Sequence, residues 1–146
     1  MKKITIYIDG GSRQNPGPAA MAAVFVNEKG QIIKEYGESL GIATNNEAEY
    51  QAAIFALEKF KALFGKKLAE SAVVEIRSDS QLMVNQISGK YKVLDEKIVK
   101  LFIKLWNLKI DFGRLSFRLV GREKNKEADR VVNEVLDGES RAKKLL

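Results

Sequence analysis

The chain opens on strict alternation. Ile4, Ile6 and Ile8 fall on one side of an extended segment and Thr5, Tyr7 and Asp9 on the other, which predicts a strand over residues 2–9. Gly10 to Pro18 carries three glycines and an Asn-Pro-Gly-Pro run, and reads as a turn-rich loop. Residues 20–27 and 31–40 are apolar enough for two more strands, joined by a short Glu28-Lys29-Gly30 hairpin turn. The period then becomes helical. Thr44 and Glu47 have capping-box spacing, Ala53, Leu57, Phe60 and Phe64 share one face, and Gly65 ends the helix.

Residues 72–78 are apolar and β-branched, a buried strand by pattern. Ser78 and Gln81 repeat the capping-box form and open a short helix through about Ile87. Residues 95–109 carry a helical stripe of Ile98, Leu101, Leu105 and Leu108, and residues 115–121 form the last strand. A final helix starts near Asn125 and turns Ala128, Val131, Val132, Val135 and Leu136 inward. Three strands followed by alternating helices and strands predict an α/β fold, with one mixed sheet covered by helices on both faces. No repeat, linker or low-complexity tract divides residues 1–146, so a single domain is expected.

Composition narrows the chemistry. The 146 residues include no histidine and no cysteine. Ser-His-Asp and Cys-His catalysis are therefore excluded, as are the usual zinc sites and any disulfide. An enzyme built from this alphabet would use carboxylates on a hard cation such as Mg²⁺. With 45% hydrophobic and 30% charged residues, the chain is long enough to bury roughly two thirds of its unfolded surface. No apolar run approaches the roughly 20 residues needed to cross a bilayer. The N-terminus starts like a leader, but its apolar stretch stops at Asp9, so a cytoplasmic protein with no membrane partner is expected. The net charge of +6 is concentrated: residues 90–126 hold eleven Lys and Arg against four Asp and Glu. Such a flank suits a polyanion, or is simply a solvated lysine-rich surface.

Four acids stand in distinctive contexts: Asp9 in IDGGSRQNPGP, Glu49 in TNNEAEY, Asp79 in RSDSQ and Asp129 in NKEAD. Asp9 is expected at the end of the first strand and Asp79 just after the fourth. If those strands are adjacent and parallel, the two lie side by side, where α/β sheets place ligands. Glu47 and Glu49 point roughly 200° apart on their helix and cannot share a role. Each acid also has a plain structural reading: a strand end, a helix N-terminus favoured by the macrodipole, or a solvated helix acid. Together they read as carboxylates that repel one another unless a cation joins them. Two ions about 4 Å apart would then support phosphodiester hydrolysis without histidine.

These strings resemble ribonuclease HI, the type 1 ribonuclease H family, over almost the whole chain. The resemblance is carried by D-G-G-S-x-x-N-P-G-P from Asp9, T-N-N-x-A-E from Thr44, D-S-Q from Asp79 and N-x-x-A-D from Asn125. It implies the ribonuclease H fold with a five-stranded mixed sheet. It also implies cleavage of the RNA strand of an RNA–DNA hybrid by two Mg²⁺ ions (Mn²⁺ as a substitute), leaving 5′-phosphate and 3′-hydroxyl ends. Asp9, Glu49, Asp79 and Asp129 match the family's metal-binding acids. Asn46 and Gln81 match residues that read the RNA strand in the minor groove, a fitting task for amides facing a 2′-hydroxyl. Asn15 matches a contact to the DNA side and Thr44 part of a DNA-phosphate pocket. Gly10, Ser12 and Asn45, inside the same strings, complete the expected nucleic-acid contacts. Thr44 as a helix cap and Asn15 as a turn residue are the plain readings beside these.

The chain departs from the family pattern twice. Many members carry a histidine before the last helix; here the stretch is Gly121 to Asn125, with Arg122 near that place. Arg122 stays protonated and cannot be a general base, so water on the metal is the expected nucleophile. Arg122 binds a phosphate or is a solvated cation. Many members also insert a basic protrusion after the helix that follows Asp79. Ser88 to Lys92 instead passes directly onward, which leaves Lys90, Tyr91 and Lys92 as candidates for hybrid affinity. The resemblance thus points to a subgroup lacking both features, expected to act as a monomer with no hybrid-binding module before Met1. A nuclease of the same fold with broader range, on double-stranded RNA or DNA, and a catalytically silent nucleic-acid clamp are the rival readings.

Overall fold

β1 (Lys3–Ser12) is the middle strand of a five-stranded sheet and carries its core on alternate residues. Ile4, Ile6 and Ile8 are fully buried on one face, and Tyr7 packs toward the other. The structure, a computed structural model, describes residues 2–145 and the side chains of residues 2–142. β2 (Gly17–Val26) and β3 (Ile32–Ala43) continue β1 as an antiparallel meander. The turn between them closes through Asn27 and Gln31, with Gly30 in the left-handed region at φ 79°. β4 (Val73–Ser78) and β5 (Arg114–Leu119) add in parallel on the other side of β1, giving the order β3-β2-β1-β4-β5. This is the five-stranded mixed sheet that the resemblance implied.

α1 (Asn45–Phe64), α3 (Gln81–Ile87) and α4 (Glu96–Ile110) belong to the larger core with one face of the sheet. α1 lies between the sheet and α4, and is buried nearly all round, which is why small alanines alternate with large residues along it. Its start is the predicted capping box: Thr44 Oγ1 accepts from the Glu47 N–H, and Glu47 Oε1 accepts from the Thr44 N–H. α5 (Lys126–Leu145) covers the opposite face over β1, β2 and β3, with Ala128, Val131, Val132 and Leu136 buried. No helix among the described residues is long and apolar enough to cross a membrane.

Three local expectations are corrected. β1 does not end at Asp9 but runs to Ser12, because Asp9 to Ser12 keep pairing with β2 as far as Ser12–Ala19; the loop shrinks to residues 13–16. The parallel pairing with β4 does stop at Tyr7–Arg77, so Asp9 still lies beyond that ladder. The short helix α2 (Lys66–Ser71) follows Gly65; it buries only Ala69 and has too little apolar period to be read in sequence. The cap of α3 is Ser80, whose hydroxyl accepts from the Met83 N–H at 3.2 Å. Ser78 instead stays in β4, because its carbonyl is claimed by the Val120 N–H of the neighbouring chain segment.

Two glycines set how closely the helices approach. A Cβ on Gly10 would lie 2.1 Å from the Ala48 carbonyl oxygen, so the backbones of β1 and α1 touch there. A Cβ on Gly37 would lie 2.5 Å from Val131 Cγ1, where α5 crosses β3. By contrast, nothing lies within 4 Å of a Cβ on Gly138, in α5. Gly10→Ala should therefore cost about 1–3 kcal/mol or more, since neither backbone can yield freely. Gly138→Ala should stabilise by roughly 0.5–1 kcal/mol through helix propensity. Urea unfolding of both variants checks the contrast, and a Gly10→Ala protein as stable as the parent would refute the close approach.

Candidate active site

The cleft at the ends of β1 and β4 is built from four segments far apart in sequence. It encloses about 440 Å³ and is lined by Asp9, Gly10, Gly11, Asn45, Glu49, Asp79, Ser80, Arg122 and Asp129. β1 supplies Asp9, α1 supplies Glu49 from its second turn, the β4–α3 junction supplies Asp79, and the first turn of α5 supplies Asp129. Asp9, Glu49 and Asp79 each present a carboxylate oxygen, all within 4.8 Å of one another. Asp129 lines the same cleft but lies outside that close set, on an exposed turn of α5.

The close approach at Gly10 fixes Glu49. The Gly10 N–H donates to Glu49 Oε1 at 2.7 Å, and Ser78 Oγ donates to Glu49 Oε2 at 3.3 Å. Ser78 is fully buried, and its hydroxyl also accepts from the Ser80 N–H at 3.0 Å, so one side chain ties β4, the start of α3 and Glu49 together. Asn125 plays the matching part for α5. It is 1% exposed, and its Nδ2 donates to the Ile8 carbonyl at 2.8 Å, next to Asp9. Its Oδ1 has no protein partner among the described residues.

The charges are held against their own repulsion. Burial, the Asp79 charge and the Asp129 charge push Asp9 up to about 7, although Glu49 and the Gly10 N–H pull the other way. Burial, then the Asp9 charge, raises Glu49 well above the ordinary carboxylate range. Burial also raises Asp79, against an Asn125 hydrogen bond and the Arg122 cation. All donors in this set are hard carboxylate oxygens; such a set suits a small divalent cation that restores the charge balance.

The other expected contacts divide among several places. Asn45 lines the cleft, but its Oδ1 accepts from the Ser12 N–H at 2.8 Å and so also locks the end of β1 to α1. The Ser12 hydroxyl turns back to the Gln14 carbonyl at 2.6 Å. Asn15, Thr44 and Asn46 line a second hollow of about 570 Å³ beside the start of α4. There Asn15 Oδ1 accepts from the Asn45 N–H at 3.0 Å, and Glu47, Asp95 and Glu96 add negative charge. Gln81 is bonded to the Tyr91 hydroxyl at 3.4 Å, while Lys90 and Lys92 stand exposed on the connection to α4, off the cleft. Sequence reasoning missed Ser78 and Asn125 as site residues. A polar residue inside an apolar strand and an asparagine before an apolar helix were the only local signals.

A family model described as reverse transcriptase-like matches residues 7–135. Ribonuclease HI of Halobacterium salinarum is 40% identical over 135 residues, which make up 92% of this chain and 65% of that protein. The bifunctional protein Rv2228c of Mycobacterium tuberculosis is 38% identical over 136 residues, 92% of this chain and 36% of that protein. The chain thus spans just under two thirds of the first relative and about a third of the second. LC11-RNase H1, solved in complex with an RNA/DNA hybrid, is 43% identical with a TM-score of 0.88, covering 93% of this chain and 98% of that one. With the sheet order, the cleft and these likenesses all in accord, the chain belongs to the type 1 ribonuclease H family.

Proposed function

We propose that residues 1–146 form one catalytic domain that hydrolyses the RNA strand of RNA–DNA hybrids, working as a monomer in the cytoplasm. The observation that carries this is the set of three carboxylate oxygens within 4.8 Å in a cleft bordered by a cation. Asp9, Glu49 and Asp79 would hold the metal, with Asp129 completing the shell from the α5 side. Two ions, Mg²⁺ or Mn²⁺, would supply activation of a water and stabilisation of the leaving oxygen, giving 5′-phosphate and 3′-hydroxyl ends.

The chain's own groups do the positioning. Gly10 and Ser78 orient Glu49 by hydrogen bonding, and the Asn125 hydrogen bond and the Arg122 charge oppose the upward shift of Asp79. The Arg122 guanidinium is suited to grip a phosphate oxygen in the cleft. No side chain acts as a histidine-like base, because the chain has no histidine. Asn46 and Gln81 carry amides that can both donate to and accept from a 2′-hydroxyl, the group that separates RNA from DNA. The deciding assay offers labelled hybrid, double-stranded RNA and double-stranded DNA with Mg²⁺ or EDTA. Cleavage confined to the RNA of the hybrid, and lost in EDTA, is the expected result; cutting of either duplex at equal rate would replace the hybrid reading with a broader nuclease.

Asp9→Asn and Asp79→Asn should each lower turnover about a thousandfold or more, since the charge they remove supports several kcal/mol of transition-state stabilisation. A variant that turns over near the parental rate with Mg²⁺ would sink the metal assignment. Without metal, native Asp9 keeps its proton up to about 7 against an ordinary value of 3.8. The native state then binds more protons than the unfolded chain in that window, so the Asp9 contribution to stability falls as pH rises through it. In EDTA, the parental urea midpoint should therefore drop relative to that of Asp9→Asn across this range. Parallel pH curves for the two proteins would contradict the raised Asp9 and its causes, burial first and repulsion second. Neutralising Lys90 and Lys92 to glutamine should weaken hybrid binding and reduce the salt slope by roughly 1–2, about 0.9 per lost phosphate contact. An unchanged slope would place both lysines outside the interface.

A further inference from the structure

α5 covers β1, β2 and β3, which leaves the β4–β5 edge of that sheet face open. The open area is cationic. Arg77 of β4 lies directly opposite Arg118 of β5 in the parallel register, and Tyr7 of β1 lies opposite Arg77. Arg77 is pinned from one side: its Nε donates to Glu75 Oε1 at 2.6 Å, its Nη1 donates to the Tyr7 hydroxyl at 2.7 Å, and its guanidinium sits 5.4 Å from the Tyr7 ring centre. Next to it a hollow of about 490 Å³ opens, with Arg118 and Lys124 in its wall beside the Glu75-paired Arg77 and the acid Glu123. Among the described residues, neither Arg118 nor Lys124 forms a salt bridge. Like charges directly opposite on neighbouring strands destabilise a sheet, and an anion between them removes that cost.

The hollow is next to the cleft. The turn that follows β5 forms part of both: Arg122 lines the carboxylate cleft, while Gly121, Glu123 and Lys124 line the hollow. The one aromatic ring in the hollow, Tyr7, already has Arg77 over it, so little ring surface is offered to a base. Guanidinium forks without a stacking platform read phosphate and not sequence.

We propose that this hollow is a second phosphate site, occupied by the backbone of the same nucleic-acid strand beyond the phosphodiester held at the carboxylates. The proposal rests on the nuclease reading above. It gives the Arg118–Lys124 edge the task of holding the strand past the cut, on the opposite side of the Arg122 turn.

The test uses the Arg118→Gln/Lys124→Gln double variant, which spares Arg77 and its network. Cleavage is measured on a short hybrid that ends at the cleft and on a series lengthened one base pair at a time from either end. Expected are an unchanged kcat/KM on the short hybrid and a loss of about tenfold on hybrids extended past one particular end, carried by KM, with the salt slope for these reduced by roughly 1–2. Equal loss at every length, or none at any, overturns the proposal. Inorganic phosphate provides the other arm: if it protects the hollow while the length series shows no break, the site holds a free anion and the strand assignment is wrong. The same length series read as binding in an Asp9→Asn background needs no turnover. A parent that binds hybrid in this length-dependent way yet fails to cut it overturns the catalytic reading and supports the second site.

Discussion

The active-site geometry starts from a contact with no side chain in it. At Gly10 the backbone of β1 meets the backbone of α1, with a hypothetical Cβ only 2.1 Å from the Ala48 carbonyl oxygen. This contact brings the Gly10 N–H to Glu49 and places that carboxylate beside Asp9. Any larger residue would lift α1 off the sheet and separate the two acids. The glycine therefore matters less for its own flexibility than for the distance it permits between two rigid elements.

The rest of the frame holds the cluster together against electrostatic cost. Burial and mutual repulsion raise three carboxylates, so the cleft without a cation is a strained arrangement of charge. The opposing contacts come from outside the set: the Gly10 N–H, the Ser78 hydroxyl, the Asn125 amide and the Arg122 cation. Gly10, Ser78 and Asn125 are themselves buried in the frame, while Arg122 lies on the exposed turn after β5. α5 is seated over Gly37 by Val131 and anchored to the Ile8 carbonyl by Asn125. Stability made in the two apolar cores is thus spent on a cluster of carboxylates that a proton or a cation relieves.

The legibility of this chain followed the range of the interactions involved. Alternation at Ile4, Ile6 and Ile8, the Thr44–Glu47 box and the stripe of α4 are local patterns, and each element formed where the pattern lay. The four acids were readable because each sits in a short, distinctive string of residues. What could not be read depends on distant partners. β1 continues past Asp9 because β2 pairs with it, Ser78 stays in β4 because the segment after β5 claims its carbonyl, and Asn125 acts on Ile8 across 117 positions. α2 failed for the opposite reason, since six residues with one buried alanine leave almost no period to detect.

The distribution of cations completes the argument about affinity. On the proposed nuclease reading, a cleft that is itself negative needs positive charge where a polyanion would enter and leave it. The lysines at positions 90 and 92 stand on one side of the cleft, on the α3–α4 connection. Arg122 stands in it, and Arg118 and Lys124 stand beyond it on the uncovered sheet edge. The hollow beside the start of α4 carries Glu47, Asp95 and Glu96, so charge there opposes a phosphate and leaves amide and hydroxyl groups to do the binding. In the proposed nuclease reading, a phosphodiester chain would be drawn toward Arg122 and the edge behind it more strongly than toward that hollow, and the β4–β5 edge would take the part of the basic protrusion that many members of the family carry.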